Sequence, residues 1–154
     1  NSKQKAATAN ALRQVDPVAA AEAIDYAHVL LRLLEGAKVV EEKAGAWQGK
    51  PARTVVFRLL DRKEDDDGPG KVTISENRLT LLLTPDHVPV GGEHVFNMKV
   101  SFLIFHGELK QKKNWQFGHI GDRLVRLREE EQQSGSGMGQ KTNDHTIATV
   151  KVHA

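Results

Sequence analysis

In the run His94–His106, HVFNMKVSFLIFH, apolar bulk returns at every second residue. Phe96, Met98, Val100, Phe102 and Ile104 fall on one face, and Val95, Asn97, Lys99, Ser101 and Leu103 on the other. This is the repeat of a half-buried antiparallel strand and not of a helix. The same period marks Arg53–Asp61 (RTVVFRLLD), Lys71–Ser75 (KVTIS) and Arg78–Thr84 (RLTLLLT), all rich in the β-branched and aromatic residues that suit a pleated surface. Ser75–Arg78 reads as a short turn and Glu64–Gly70 as a longer polar hairpin loop, so consecutive strands are expected to be antiparallel neighbours.

Two stretches carry the helical period instead. Asp16-Pro17 is a start signal, because the carboxylate can accept orphan backbone N–H groups and proline suits the first helical position. From Val18 to about Ala44, the polar residues Glu22, Asp25, Arg32, Glu35 and Glu42 recur at helical spacing against a broad apolar remainder. A helix of that length would measure roughly 40 Å, with Gly36 as its weak point and Gly45 and Gly49 at its exit. Asp122 is expected to cap a second helix ending near Gln133, although Glu129–Glu131 then lie at the wrong end for its dipole. Ser134–Asp144 has the composition of a flexible linker, and His145–His153 that of a last strand. The expected fold is α+β, a mostly antiparallel sheet of about five strands packed with one long N-terminal helix and one shorter C-terminal helix. The chain is expected to form a single domain over 1–154, with 1–15 as a flexible arm.

Composition removes several kinds of chemistry. The 154 residues include no cysteine, which excludes disulfides, thiolate nucleophiles, Cys-ligated zinc and iron–sulfur clusters. Aromatic residues make up 5%, too few for a surface built mainly on stacking, and a net charge of +2 confines any phosphate-binding surface to a local patch. No run reaches the roughly 18 uncharged apolar residues of a membrane helix. A soluble, cytoplasmic protein without a cofactor and without membrane contact is expected.

Four motifs invite a chemical reading. Thr84–His94, TPDHVPVGGEH, places His87 and His94 beside Asp86 and Glu93 and could surround a divalent cation, although its prolines and Gly91-Gly92 also suit a plain strand-to-strand crossing. Thr84–His87 also resembles the Thr-x-x-His block of self-splicing inteins and hedgehog-type autoprocessing domains. The likeness is confined to these residues and a few at the terminus, and a chain without cysteine has no sulfur for the thioester chemistry. Lys110–His119, KQKKNWQFGH, sets Lys110, Lys112 and Lys113 beside Trp115 and Phe117, with Arg123 following, the parts of a single-strand or RNA surface. GSGMGQKT lacks the contiguous Gly-Lys-Ser/Thr of a phosphate loop, and Asp65–Asp67 lacks the alternating ligands of a calcium loop. His28 sits near the polar stripe of the expected first helix, and no serine occupies a nucleophile elbow.

The apolar surface of the expected first helix and of the long strand exceeds what one small sheet can cover, and such a surplus marks a partner site. The leading expectation is a non-enzymatic protein-interaction or assembly module that forms a homo-oligomer through Leu30, Leu33, Val40, Leu103 and Phe105. The alternative is an RNA- or single-stranded-DNA-binding domain using Lys110, Lys112, Lys113, Trp115 and Arg123. A third is a metal-dependent enzyme at residues 84–94.

Overall fold

The structure, a computed structural model, describes residues 17–61 and 70–151. Two eight-residue helices, α1 (Pro17–Ile24) and α2 (Ala27–Leu34), lead into seven strands. These are β1 (Lys38–Trp47), β2 (Lys50–Arg58), β3 (Gly70–Leu83), β4 (Pro89–Phe102), β5 (Phe105–Ile120), β6 (Arg123–Gly137) and β7 (Gln140–Thr149). The strands form one antiparallel sheet in chain order, β1 to β7, each paired with its neighbours in sequence. The expected arm 1–15, the Asp16 cap, the loop residues 64–69 and the last two residues of the expected final strand lie outside the described residues.

The fold class inferred from sequence is therefore corrected: the sheet has seven strands rather than about five, and neither expected helix exists as such. The long N-terminal helix breaks at Asp25-Tyr26, where the Tyr26 N–H leaves the helical ladder and donates to Leu124 O of β6 at 2.9 Å. It ends at Leu34, because Gly36 takes a φ of +71°, the left-handed geometry that terminates helices. Beyond that turn, Val39 to Trp47 pair with β2, and a bulge between Val39 and Glu41 adjusts the ladder.

The expected C-terminal helix is β6. Its residues favour a helix locally, yet their backbone groups are bonded on both sides by β5 and β7, and tertiary pairing outweighs intrinsic propensities of a few tenths of a kcal/mol per residue. The glutamates misplaced for a helix dipole are cross-strand partners instead: Gln111 donates to Glu131 at 2.6 Å and the Trp115 Nε1–H to Glu129 at 2.7 Å. The expected linker is no linker, because Ser134–Gly137 close β6 and Gln140 opens β7 across a two-residue turn. Ser75–Arg78 lies within β3, which runs through a bulge between Ile74 and Glu76. The expected strand His94–His106 is divided at Leu103-Ile104 into the end of β4 and the start of β5.

Residues that face each other across paired strands share a side of the sheet. Val55, Leu81, Gly92, Trp115 and Glu129 form one such line, and Phe57, Leu79, His94, Lys113 and Glu131 the next. This is the helix side. Tyr26 and Leu30 pack there with Leu59, Leu79, Leu81, Trp115, Phe117 and Leu124, and Leu33, Leu34 and Phe57 close around them. The helices cover only this end of the sheet. Further along the same side, Val72, Ile74, Phe96, Met98, Val100, Phe102, Phe105 and Leu109 continue the alternation with no helix above them.

Candidate functional site

The helix end of the sheet is fastened by one charged residue set. Glu129 accepts from the Trp115 indole and from Arg126, both at 2.7 Å, and the Arg126 guanidinium lies 4.9 Å from the centre of the Tyr26 ring. Tyr26 meets Trp115 edge-on at 5.7 Å between ring centres and lies 5.5 Å from Phe117. Burial pushes the Tyr26 hydroxyl up to about 12, and nearby Arg126 offsets only part of that rise. A phenol that stays neutral in this position is a packing group. Its network binds helix to sheet.

This placement separates the residues of the nucleic-acid reading. Trp115 is 4% exposed, inside the core, whereas base stacking needs an open ring face. Alternation puts Lys112 on the open side and Lys113 on the helix side. Each lysine also has an acid within reach: Lys110 with Glu108 at 3.5 Å, Lys112 with Glu93 at 2.8 Å and Lys113 with Glu131 at 3.4 Å. Arg123 lies at the far end of β6, next to the Gly121 turn.

The Thr84–His94 motif is likewise divided. Thr84 closes a small loop by accepting from the His87 N–H and bonding Val88 in both directions, and His87 sits there with a φ of +63°. Arg53 donates to His87 Nε2 at 2.7 Å and also pairs with Glu42. His94 is inside β4 on the helix side, stacked on Trp115 at 6.2 Å and hydrogen-bonded through Nε2 to Asn77 Oδ1 at 3.0 Å. Burial, and secondarily Lys113, lowers its pKa, which favours the neutral imidazole as donor. Among the described residues no group of three or more His, Asp and Glu side chains could hold a metal ion.

Gly91 and Gly92 serve packing rather than a crossing. A Cβ on Gly92 would stand 3.1 Å from Leu81 Cδ2 and 3.3 Å from Trp115 Cε3; one on Gly91 would stand 3.3 Å from Trp47 Cη2 and from Leu82 Cδ1. The strand is thin here so that aromatic rings can close on it from both sides.

Of the expected partner residues, Leu30 is 4% exposed and Leu33 packs against the same core. Val40, Leu103 and Phe105 are exposed. Leu103 and Ile104 form the two-residue tip of the β4–β5 hairpin and are 76% and 84% exposed. Phe102 and Phe105 pair at its base, and exposed Met138 lies in the adjacent β6–β7 turn. The apolar tip thus continues the uncovered stripe on the helix side. Beside that stripe the floor is flat, since Gly107 faces Gly137 and Leu109 faces Gly135.

The opposite side of the sheet is mixed, with Val56, Leu82, Val95 and Ile147 among a set of polar side chains. Thr54, Leu82, Gly91, Gln116 and Arg128 form one cross-strand line, and Thr80, Glu93, Asn114 and Glu130 the next. All of these but Gly91, together with Trp47, Gly92 and Trp115, line a groove of about 340 Å³. A second groove of about 450 Å³ follows at Val95, Asn97, Lys110, Lys112, Gln132, Asn143 and His145. Sequence reasoning missed this side. Its signal is the i, i+2 polar series Lys110, Lys112, Asn114, Gln116, legible once β5 is known to be a strand.

Compared with known protein families, curated proteins and solved structures, the chain matches none of them. Among the described residues no helix is long and apolar enough to cross a membrane.

Proposed function

We propose that the protein is a non-enzymatic assembly module that binds a second copy of itself through the uncovered apolar half of the helix side, from Val72 and Phe96 to the Leu103-Ile104 tip. The observation that carries this reading is the tip itself. A two-residue hairpin ordinarily turns through residues that tolerate positive φ, as Gln48-Gly49 and Met138-Gly139 do here. The β4–β5 turn holds Leu103 at the same φ of +50° as Gln48 and Met138, but Ile104 stands where those turns have glycine, and two large aliphatic side chains are left in solvent. Left-handed geometry costs a non-glycine residue about 1 kcal/mol, and exposed aliphatics gain nothing for the isolated fold. A contact that covers them accounts for both.

Self-pairing fits the chemistry of the patch. The stripe from Val72 to Leu109 contains no charged side chain, so two copies meet without like-charge repulsion. The Phe102–Phe105 ridge and the glycine floor at Gly107, Gly135 and Gly137 lie side by side and can interdigitate in a two-fold pair.

Light scattering across a concentration series tests the reading with the double variant Leu103→Gly, Ile104→Asn, which suits a turn with positive φ at its first position only. The wild-type chain is expected to associate as concentration rises. The variant is expected to remain monomeric while its urea midpoint holds, the relief of left-handed Leu103, about 1 kcal/mol, offsetting the greater freedom of glycine in the unfolded chain. A wild-type protein that stays monomeric throughout, or a variant that associates equally well, overturns it.

A further inference from the structure

The groove on the opposite side has no part in that contact. We propose that it is a binding site for neutral carbohydrate, with Trp47 as the surface on which a sugar ring stacks. A sugar presents an apolar face of C–H groups and a rim of hydroxyls, each able both to donate and to accept. Its recognition therefore calls for an aromatic plane flanked by planar groups with paired donors and acceptors. The groove supplies both. Trp47, half-buried, stands at one wall above Gly91, which offers it a seat free of any side chain. Asn114 and Gln116 rise from alternate positions of β5 along the floor, each with an amide that donates and accepts in one plane.

The electrostatics select an uncharged ligand. Anionic ligands need cations that no acid already neutralises. Here Lys112 lies 2.8 Å from Glu93, Arg128 lies 3.2 Å from Glu130, and His145 lies 3.0 Å from the other oxygen of Glu130. Those pairs keep lone pairs and N–H groups for hydroxyls while presenting little net field. From Thr54 on β2 to Glu130 on β6 the lines of side chains cross four strand intervals, roughly 19 Å at the usual spacing, which is room for several sugar rings.

Glu130 is not placed as the acid of a glycosidase. Cleavage of a glycosidic bond needs a carboxyl group held protonated to deliver a proton to the leaving oxygen. Glu130 is held the opposite way: hydrogen bonds from His145 first, and then from Arg128, keep its carboxyl below the usual range.

The test is titration of the full chain, followed by tryptophan fluorescence and calorimetry. The probes are neutral hexasaccharides of α-1,4-glucan, β-1,4-glucan, β-1,3-glucan, β-1,4-xylan and β-1,4-linked N-acetylglucosamine, with a heparin hexasaccharide and oligothymidylate as charged probes. At least one neutral probe is expected to bind with a Kd of about 1 mM or tighter. Trp47→Ala is expected to weaken that binding about tenfold or more, with some loss of thermal stability because the ring also packs on Gly91. Gln116→Ala, at an exposed position, is expected to weaken it without touching the tryptophans, which keeps the test decisive if Trp47→Ala folds poorly. Absence of binding to every neutral probe up to on the order of 10 mM overturns the proposal. So does binding confined to the charged probes, or unaltered affinity in Gln116→Ala and in a folded Trp47→Ala.

Discussion

His94 shows how one residue changes meaning between sequence and fold. Beside Glu93 it has the look of a ligand, yet in β4 it is a core-side imidazole stacked on Trp115 and donating to Asn77. Burial and Lys113 lower its pKa below the 6.5 of an unperturbed histidine. In the interval between the folded and unfolded values the unfolded chain holds the additional proton. This contribution to stability is therefore full above about pH 6.5 and is lost as pH falls through the folded pKa. Urea midpoints measured from about pH 7.5 to about pH 5 are expected to fall with acidification. His94→Gln, which retains an amide donor for Asn77, is expected to flatten the decline. An equal slope in the variant would assign the acid sensitivity elsewhere.

Among the elements, β4 bears the most opposed demands. Its Gly91-Gly92 pair thins the strand where Trp115 and Leu81 close from one side and Trp47 and Leu82 from the other. A methyl at Gly92 would also stand 3.2 Å from the Thr80 carbonyl oxygen, a backbone atom that cannot rotate aside. Gly92→Ala is therefore expected to destabilise the fold by about 1–3 kcal/mol through overpacking, read as a lower urea midpoint at unchanged slope. A neutral result would mean that the Trp115 layer has slack that these distances do not suggest. The pair was visible in the sequence, but its purpose was not: adjacent glycines look the same in a loop and in a crowded strand. The strand character of β2, β3 and β4 was legible because their alternation is local. β1, β6 and the first half of β7 were misread because their residues carry a helical or linker composition, and only their hydrogen-bonded neighbours decide otherwise, whereas His145–Thr149 is a strand as expected.

For the whole molecule, the helices cover one end of one side of an open seven-stranded sheet, and stability is expected to follow that asymmetry. Amides around Leu79, Leu81, Trp115 and Phe117 lie under Tyr26 and Leu30, while β1 and β7 are rim strands with nearly every residue exposed. Hydrogen exchange followed by mass spectrometry is expected to be slowest in the first group and faster by at least about tenfold in β7. Exchange in peptides spanning Val95–Leu109 is expected to slow further as protein concentration rises, because self-association would protect the uncovered half. Concentration-independent exchange there would argue against pairing through that surface. The trough side is expected to be unaffected by concentration, which separates the two proposed contacts.

From the order of residues alone follow the antiparallel strands of the middle of the chain, the exclusion of thiol chemistry and the surplus of apolar side chains near Phe102–Phe105. Each of these is carried by near neighbours or by composition. The tertiary structure decided which apolar residues the surplus comprises: it buried Leu30 and Trp115 and left Leu103 and Ile104 outside. It also gathered Trp47, Asn114, Gln116 and Glu130 from three strands onto one side of the sheet. The reason is physical. A strand's local pattern states that it has two faces, but which face meets a helix and which meets water depends on register with partners far away in the chain.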